Sequence, residues 1–137
     1  MDRRKMSLLP LCVLLAMALG LMFGNGLLKN LIARPRPYAA DPLILLLIPP
    51  SREAFSFPSG HTLHAFAAAC SVGLAGHRRL FCFVLPLAAL IGFSRIYLMM
   101  HYPLDVFAGA LLGFCAAAAA RRLLPVLEAA LFRRGGD

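Results

Sequence analysis

Residues 94 to 105 read Ser-Arg-Ile-Tyr-Leu-Met-Met-His-Tyr-Pro-Leu-Asp. Arg95, His101 and Asp105 stand in a stretch otherwise suited to hydrocarbon, where charged side chains are costly and usually serve a function. Pro103 predicts the start of a helix, because its ring fixes φ and it lacks the N–H that a first turn leaves unpaired. His101 then lies at the mouth of that helix, with Asp105 on the same side of its first turn.

The pair of His101 and Asp105 has two interpretations. In the functional one, Asp105 holds one imidazole nitrogen so that the other faces outward as a nucleophile. In the structural one, the charges form a buried ion pair that only fixes the packing. The stretch by itself favours neither, so the rest of the chain must decide.

The composition indicates a polytopic membrane protein. The 137 residues fit one domain, and 61% of them are apolar, with a mean hydropathy of +0.78; roughly half is usual in a soluble fold. The formal charge of +8 does not indicate nucleic-acid binding, because the basic residues form short clusters between apolar runs. The cysteines lie singly in apolar stretches, which is typical of inert packing residues: Cys12, Cys70, Cys82 and Cys115.

The apolar runs predict an all-α membrane bundle of about four transmembrane helices. Each run approaches the roughly 20 residues that a bilayer core needs. The first fades near Ala33, because Pro35 favours an extended conformation before it. The apolar run of this first helix extends from Met6 to about Leu28, and Lys29 lies in its last turn. The other expected helices run from Ser59 to Ala75, from Leu80 to Met100, and from Pro103 to about Leu124, with a further surface segment after Pro125. Residues 38 to 57 form a proline-rich connection, and the apolar run within it, Leu43 to Ile48, is too short to span.

The basic clusters predict the orientation. A cytoplasmic N-terminus places nine of the fourteen Lys and Arg residues on the inner side, in residues 1–5, 77–79 and 121–137. The positive-inside rule favours that arrangement. Four helix ends carrying polar residues then meet on the outer face of the cell membrane.

Three polar motifs lie at those ends. Lys29 is followed after six residues by Arg36-Pro37, and a Pro-Ser-Gly turn at residues 58–60 leads into His61. In the third, Ser94-Arg95 is followed after five residues by His101 and after three more by Asp105. Guanidinium groups make paired bonds to oxyanions, and Ser59 and Gly60 at a helix N-terminus offer N–H groups to an anion. The set matches a phosphate group held between two histidines.

Together the motifs resemble the signature of the type-2 phosphatidic acid phosphatase superfamily, with every position present in the expected order and spacing. The resemblance implies that His101 is the nucleophile, that Asp105 orients it, and that His61 is the general acid and later the base. It also implies that no metal cofactor is needed. The residues that it assigns to phosphate binding are Lys29, Arg36, Ser59, Gly60 and Arg95.

The expected function is that of an integral membrane phosphatase acting on a lipid phosphate or diphosphate, with undecaprenyl diphosphate as the first candidate. Membrane members of the family usually have six spans, so this single domain of residues 1–137 is either a short form or lacks the first two helices. The rival from another class is a non-catalytic membrane subunit or a truncated relic. A zinc site at His61, His64, His101 and Asp105 is disfavoured, because three nearby cations repel a dication. Arg34 is expected to anchor a lipid headgroup rather than to add a phosphate contact.

Overall fold

The structure, a computed structural model, describes residues 3–41 and 43–134. Among these residues no β-strand forms, and the one β-bridge joins Pro35 to Phe55. The helices are α1 (Arg3–Gly20), a π-helical segment (Leu21–Leu28) that continues it, α2 (Lys29–Ile32), α3 (Pro37–Ala40), α4 (Gly60–Leu74), α5 (Arg78–Tyr97) and α6 (Pro103–Arg134). The all-α prediction is confirmed.

In the part of the chain that the structure describes, three helices are long and apolar enough to cross a membrane: Leu8–Ile32, Arg78–Tyr97 and Pro103–Leu127. The fourth expected helix, α4, is present but has 15 residues, fewer than the roughly 20 that span a bilayer core. The class of membrane helical bundle is therefore confirmed, and by length and composition three of the four expected helices qualify as spans.

Prolines and a left-handed residue set most helix ends. The first long helix stops at Ala33, whose φ of 48° is left-handed, and Pro35 follows as expected. The last helix begins at Pro103 as expected, but it continues through Pro125 to Arg134. The expected break there was wrong. The end of α5 at Tyr97, rather than Met100, leaves a tight turn before His101.

Small side chains fill the interior of the bundle. The core contains Ala16, Ala67, Ala117 and Ala120 together with the buried Cys12 and Cys70. The large apolar side chains point outward instead, among them Leu14, Phe83, Leu90, Phe93 and Phe107. Small residues permit close helix packing in lipid, where large apolar groups lose nothing by facing the tails. This distribution agrees with a bundle embedded in a membrane.

Helix α4 holds the bundle together. It packs most extensively on α6 and also contacts α1 and α5. Leu63 is fully buried and inserts where Gly20 and Gly24 leave room, because a Cβ on either glycine would overlap its side chain. Close packing of this kind fixes the position of the N-terminus of α4, which carries His61.

Four helix ends meet at one end of the bundle. They are the C-terminal end of α2 with Lys29, the start of α4 with His61, the last turn of α5 with Arg95, and the start of α6 after His101. The convergence expected from the sequence is therefore present in the fold.

Candidate active site

The start of α6 is fixed by the carboxylate of Asp105, which is fully buried. One carboxylate oxygen accepts the backbone N–H of Tyr102 at 2.9 Å, so it satisfies a donor that the first helical turn leaves free. The other accepts a 3.0 Å hydrogen bond from Arg34. The carbonyl of Asp105 also accepts the N–H of Ser59 at 3.0 Å, which joins α6 to the start of α4.

His101 lies just before this helix and is 4% exposed. Its Nδ1 is 2.7 Å from the carbonyl oxygen of Ser56. Because a carbonyl only accepts, Nδ1 carries the proton and Nε2 keeps its lone pair. Nε2 lies 3.4 Å from the guanidinium of Arg36, on the side of a cavity described below. The bond to Ser56 thus fixes the tautomer of His101, with Nε2 as the unprotonated nitrogen.

The orientation does not come from Asp105 as expected. The carboxylate is 3.8 Å from Nδ1, beyond hydrogen-bond distance, and the bond is made by Ser56 instead. Asp105 is already engaged by Arg34 and by the backbone of Tyr102. Its contribution to His101 is therefore the placement of the helix start and a nearby negative charge.

The pKa of His101 is lowered to about 4. Burial is the largest cause, since the charged imidazolium is poorly solvated there, and the positive charge of Arg36 acts in the same direction. The bond to Ser56 and the charge of Asp105 oppose the shift. His101 is therefore neutral at physiological pH, which is the state that can attack an electrophile.

Two buried cations, Lys29 and Arg36, share one carboxylate. They are 6% and 3% exposed, and both contact Oε2 of Glu53, Arg36 at 3.4 Å. Arg36 also donates from Nε to the backbone carbonyl of Glu53 at 2.9 Å. The hydrogen bond from Lys29 is the main reason that the pKa of Glu53 lies below its usual range. Sequence reasoning assigned Glu53 no role.

A cavity of about 300 Å³ joins the motifs. Its lining includes both histidines, His61 and His101, and two of the motif cations, Arg36 and Arg95. Ser94 supports this wall as expected, since its hydroxyl accepts a 3.2 Å hydrogen bond from Nε of Arg95. Four predicted site residues from three separate motifs thus face one space.

Ser59 and Gly60 are close by but do not line this cavity. Ser59 is fully buried, and its hydroxyl is 2.9 Å from that of Thr62. Gly60 packs against the amide of Asn25, where a Cβ would lie 2.8 Å from Oδ1. The lack of a side chain at Gly60 therefore accommodates Asn25, a contact that sequence reasoning did not foresee.

Arg34 was expected to anchor a headgroup, and that expectation was wrong. Its guanidinium pairs with Asp105 and lies 3.9 Å above the ring of Tyr102. A cation over an aromatic face is attracted by the ring. The duplicated Arg-Pro sequence thus has two functions, since Arg36 reaches the cavity and Arg34 braces the start of α6.

His64, which the zinc alternative included, turns its Nδ1 to the carbonyl of Gly60 at 2.8 Å. Among the residues that the structure describes, no group of three or more His, Cys, Asp or Glu side chains is arranged to hold a metal ion. His64 lines a second cavity of about 510 Å³, which shares His61 and Glu53 with the first. Most of its other lining is apolar, from Met17, Ala65, Ala68 and Ile91.

The fold is a membrane helical bundle with a cavity lined by two histidines and two motif arginines at one end, and the family comparison agrees with this class. Residues 9–128 match the family model of the PAP2 superfamily. Because that match covers most of the chain, the protein belongs to the PAP2 superfamily. The resemblance of the three motifs is therefore confirmed.

The chain is similar in sequence to membrane phosphatases and in fold to two solved structures. An undecaprenyl-diphosphatase of Sulfolobus acidocaldarius is 36% identical over 62% of this chain and 41% of its own length. The crystal structure of Aquifex aeolicus LpxE has a TM-score of 0.68 at 32% identity, over 88% of this chain and 69% of its own. That of a PAP2-type phosphatidylglycerolphosphate phosphatase from Bacillus subtilis has a TM-score of 0.66 at 27% identity, over 82% and 57%. The chain spans about half the length of the curated relatives it matches.

Proposed function

We propose that this protein is an integral membrane phosphatase that hydrolyses a lipid phosphate or diphosphate through a phosphohistidine at His101. The supporting observation is that His101 and His61, from different motifs, line one cavity with the guanidinium groups of Arg36 and Arg95. A phosphoryl group needs a nucleophile, a proton donor and fixed positive charge. The cavity offers all three.

The proposed reaction uses both histidines in two steps. Nε2 of His101 forms a bond to phosphorus as the bond from phosphorus to the lipid oxygen breaks, and His61 gives that oxygen a proton. His61, now neutral, takes a proton from water as the water oxygen attacks the phosphohistidine. Inorganic phosphate leaves, and both histidines return to their starting states.

The cations stabilise the phosphoryl oxygens during both steps. Arg36 and Arg95 can each make two charge-assisted hydrogen bonds. Lys29 lies behind Arg36 and shares Glu53 with it. Ser59 and Gly60 are assigned to the same group through the N–H donors at the start of α4. Asp105 acts as a positioning residue, because it holds the helix start that follows His101.

The second cavity supports a lipid as substrate. It begins at His61 and Glu53 and is lined mainly by apolar side chains of α1, α4 and α5. A leaving oxygen protonated by His61 would therefore have its apolar tail beside it at the level of the membrane. Undecaprenyl diphosphate fits this description and is the first candidate, and no metal is assigned to the reaction.

The proposed location is the cell membrane, with the N-terminus cytoplasmic and the active site on the outer face. The distribution of Lys and Arg supports this orientation. Membrane lipids surround the bundle, and no nucleic-acid partner is proposed.

Phosphate release from short-chain lipid phosphates by the purified protein tests the proposal. We expect release by the wild type, inhibition by vanadate and resistance to EDTA. His101→Ala and His61→Ala should lose activity, and His77→Ala at the opposite end of the bundle is the matched control. Equal activity of the wild type and both active-site variants would refute the mechanism. No release from any lipid would favour the non-catalytic subunit or truncated relic.

A further inference from the structure

The connection between α3 and α4 contributes to the wall of the phosphate cavity. Ile48, Pro49, Ser51, Arg52 and Glu53 from this connection line the cavity together with the two histidines. Of these, Arg52 lies outside the three motifs and has no function in the mechanism above. Its guanidinium adds a positive charge to a cavity that already contains Arg36 and Arg95.

Glu53 fixes the backbone next to Arg52. Its carboxylate contacts Lys29 and Arg36, its carbonyl accepts the Nε–H of Arg36, and its own N–H donates to the hydroxyl of Ser51 at 3.2 Å. Because Lys29 and Arg36 are themselves buried, these contacts fix the position of Glu53. Arg52 is therefore attached to a backbone position that is anchored at the edge of the cavity, although its side chain is exposed.

Arg52 brings a positive charge to the cavity in addition to those of the three motifs. Glu53 offsets one of the three motif cations Lys29, Arg36 and Arg95, so two positive charges remain for a phosphate monoester of about −2 charge, and the proton that His61 donates adds a third. Arg52 adds one more. Within residues 8–41 and 43–127, whose side chains the structure describes, no carboxylate forms a salt bridge with it. A site for a single phosphoryl group does not need this additional cation.

Resting on the proposed function, we propose that Arg52 binds a second phosphate on the leaving-group side of the scissile bond. In a lipid diphosphate, the leaving oxygen that His61 protonates is bonded directly to this second phosphorus. Arg52 shares the cavity with His61, and its guanidinium can bind two oxygens of one phosphate. The preferred substrates are lipids with an anionic leaving group, and phosphatidic acid, whose leaving group is neutral, is a poorer one.

Two substrates with the same tail test this inference. Farnesyl diphosphate and farnesyl phosphate differ only in the second phosphate, so the ratio of their kcat/KM values reports its recognition. We expect Arg52→Gln to lower that ratio about tenfold, the value of one charge-assisted hydrogen bond. Arg52→Lys should retain part of the ratio, and Arg79→Gln, an exposed arginine at the opposite end, should leave it unchanged. An equal effect of Arg52→Gln on both substrates, or none on either, would overturn the inference.

Two further experiments are needed. One distinguishes diphosphates from phosphodiester-linked headgroups as the source of the second phosphate, and the other distinguishes failure of the Arg52 site from failure of the proposed phosphatase function. If Arg52→Gln lowers kcat/KM more for dioctanoyl phosphatidylglycerol phosphate than for dioctanoyl phosphatidic acid, the site extends to phosphodiester-linked headgroups. If Arg52→Gln changes kcat/KM equally for these two lipids, the site is restricted to diphosphates. If the wild type releases phosphate from none of these lipids, the proposed function fails. Binding of a methylene-bridged farnesyl diphosphate analogue then still tests Arg52, because Arg52→Gln must weaken it about tenfold, and unchanged binding refutes the site.

Discussion

Gly109 lies where α6, which His101 precedes, touches the start of α4, which carries His61. It is in the second turn of α6, and a Cβ at this position would lie 2.7 Å from the carbonyl oxygen of Ser59 and 3.3 Å from Cβ of Thr62. Ordinary carbon–oxygen contacts are about 3.3 to 3.6 Å. Gly109→Ala must therefore separate α6 from the start of α4 by about half an ångström or more, since the clash is with backbone.

The separation has two measurable costs. Overpacking of a close contact destabilises a protein by about 1–3 kcal/mol. Catalysis should suffer more, because the shift changes the distance between His61 and His101, and a displacement of about 1 Å can lower a rate by about 10²-fold. We expect kcat/KM for lipid phosphate hydrolysis to fall by between about ten- and a hundredfold.

The assay compares Gly109→Ala with Gly26→Ala in the same detergent, by phosphate release and by thermal unfolding. Gly26 is a matched control, because the nearest atom to a Cβ there is the carbonyl oxygen of Leu21 at 3.5 Å, an ordinary contact. The control should keep both its activity and its unfolding temperature. Unchanged activity and stability in Gly109→Ala would refute the argument that this contact sets the distance between the two rings.

Three further predictions concern the residues around His101. Because its pKa is lowered to about 4, the ring should stay neutral well below pH 6.5, and an imidazole NMR titration of the substrate-free protein with a midpoint near 6.5 would contradict this. The unfolded chain binds that proton below about pH 6.5 while the folded protein excludes it down to about pH 4, so thermal stability should fall as pH falls through this window. Asp105→Asn should reduce kcat about tenfold or more and lower the unfolding temperature, since it weakens the pair with Arg34 and leaves a buried polar group poorly matched; an effect on KM alone would argue against a positioning role.

The sequence predicted the helix ends better than the contacts between them. Pro103 and the residues around Ala33 set helix boundaries through local sterics, which are visible in the sequence. The convergence of the motifs followed from the predicted number of crossings and from the distribution of Lys and Arg between the connections. Pro125 was misjudged, because a single proline can be accommodated inside a long helix that is packed along one side.

The polar contacts that orient the site depend on the connection before α4, whose sequence has neither a helical nor a strand-like hydrophobic periodicity. The four-residue spacing of His101 and Asp105 correctly placed them near each other, at 3.8 Å. It could not show that the carbonyl of Ser56 would be the closer acceptor, or that Arg34 would take the carboxylate. These partners are distant in sequence and are brought in by the fold of residues 43–57. Glu53 was missed for the same reason, since its two cationic partners come from another helix end.

The central claim is that His101 becomes phosphorylated, and that His61 first donates a proton to the departing oxygen and then takes a proton from the attacking water. Rapid acid-free quenching after mixing with a ³²P-labelled aryl phosphate, whose leaving group needs little protonation, tests this directly. We expect label on His101 that is labile to acid and stable to base, more of it in His61→Ala than in the wild type, and none in His101→Ala. Label that persists in His101→Ala, or full turnover by that variant, would contradict the account.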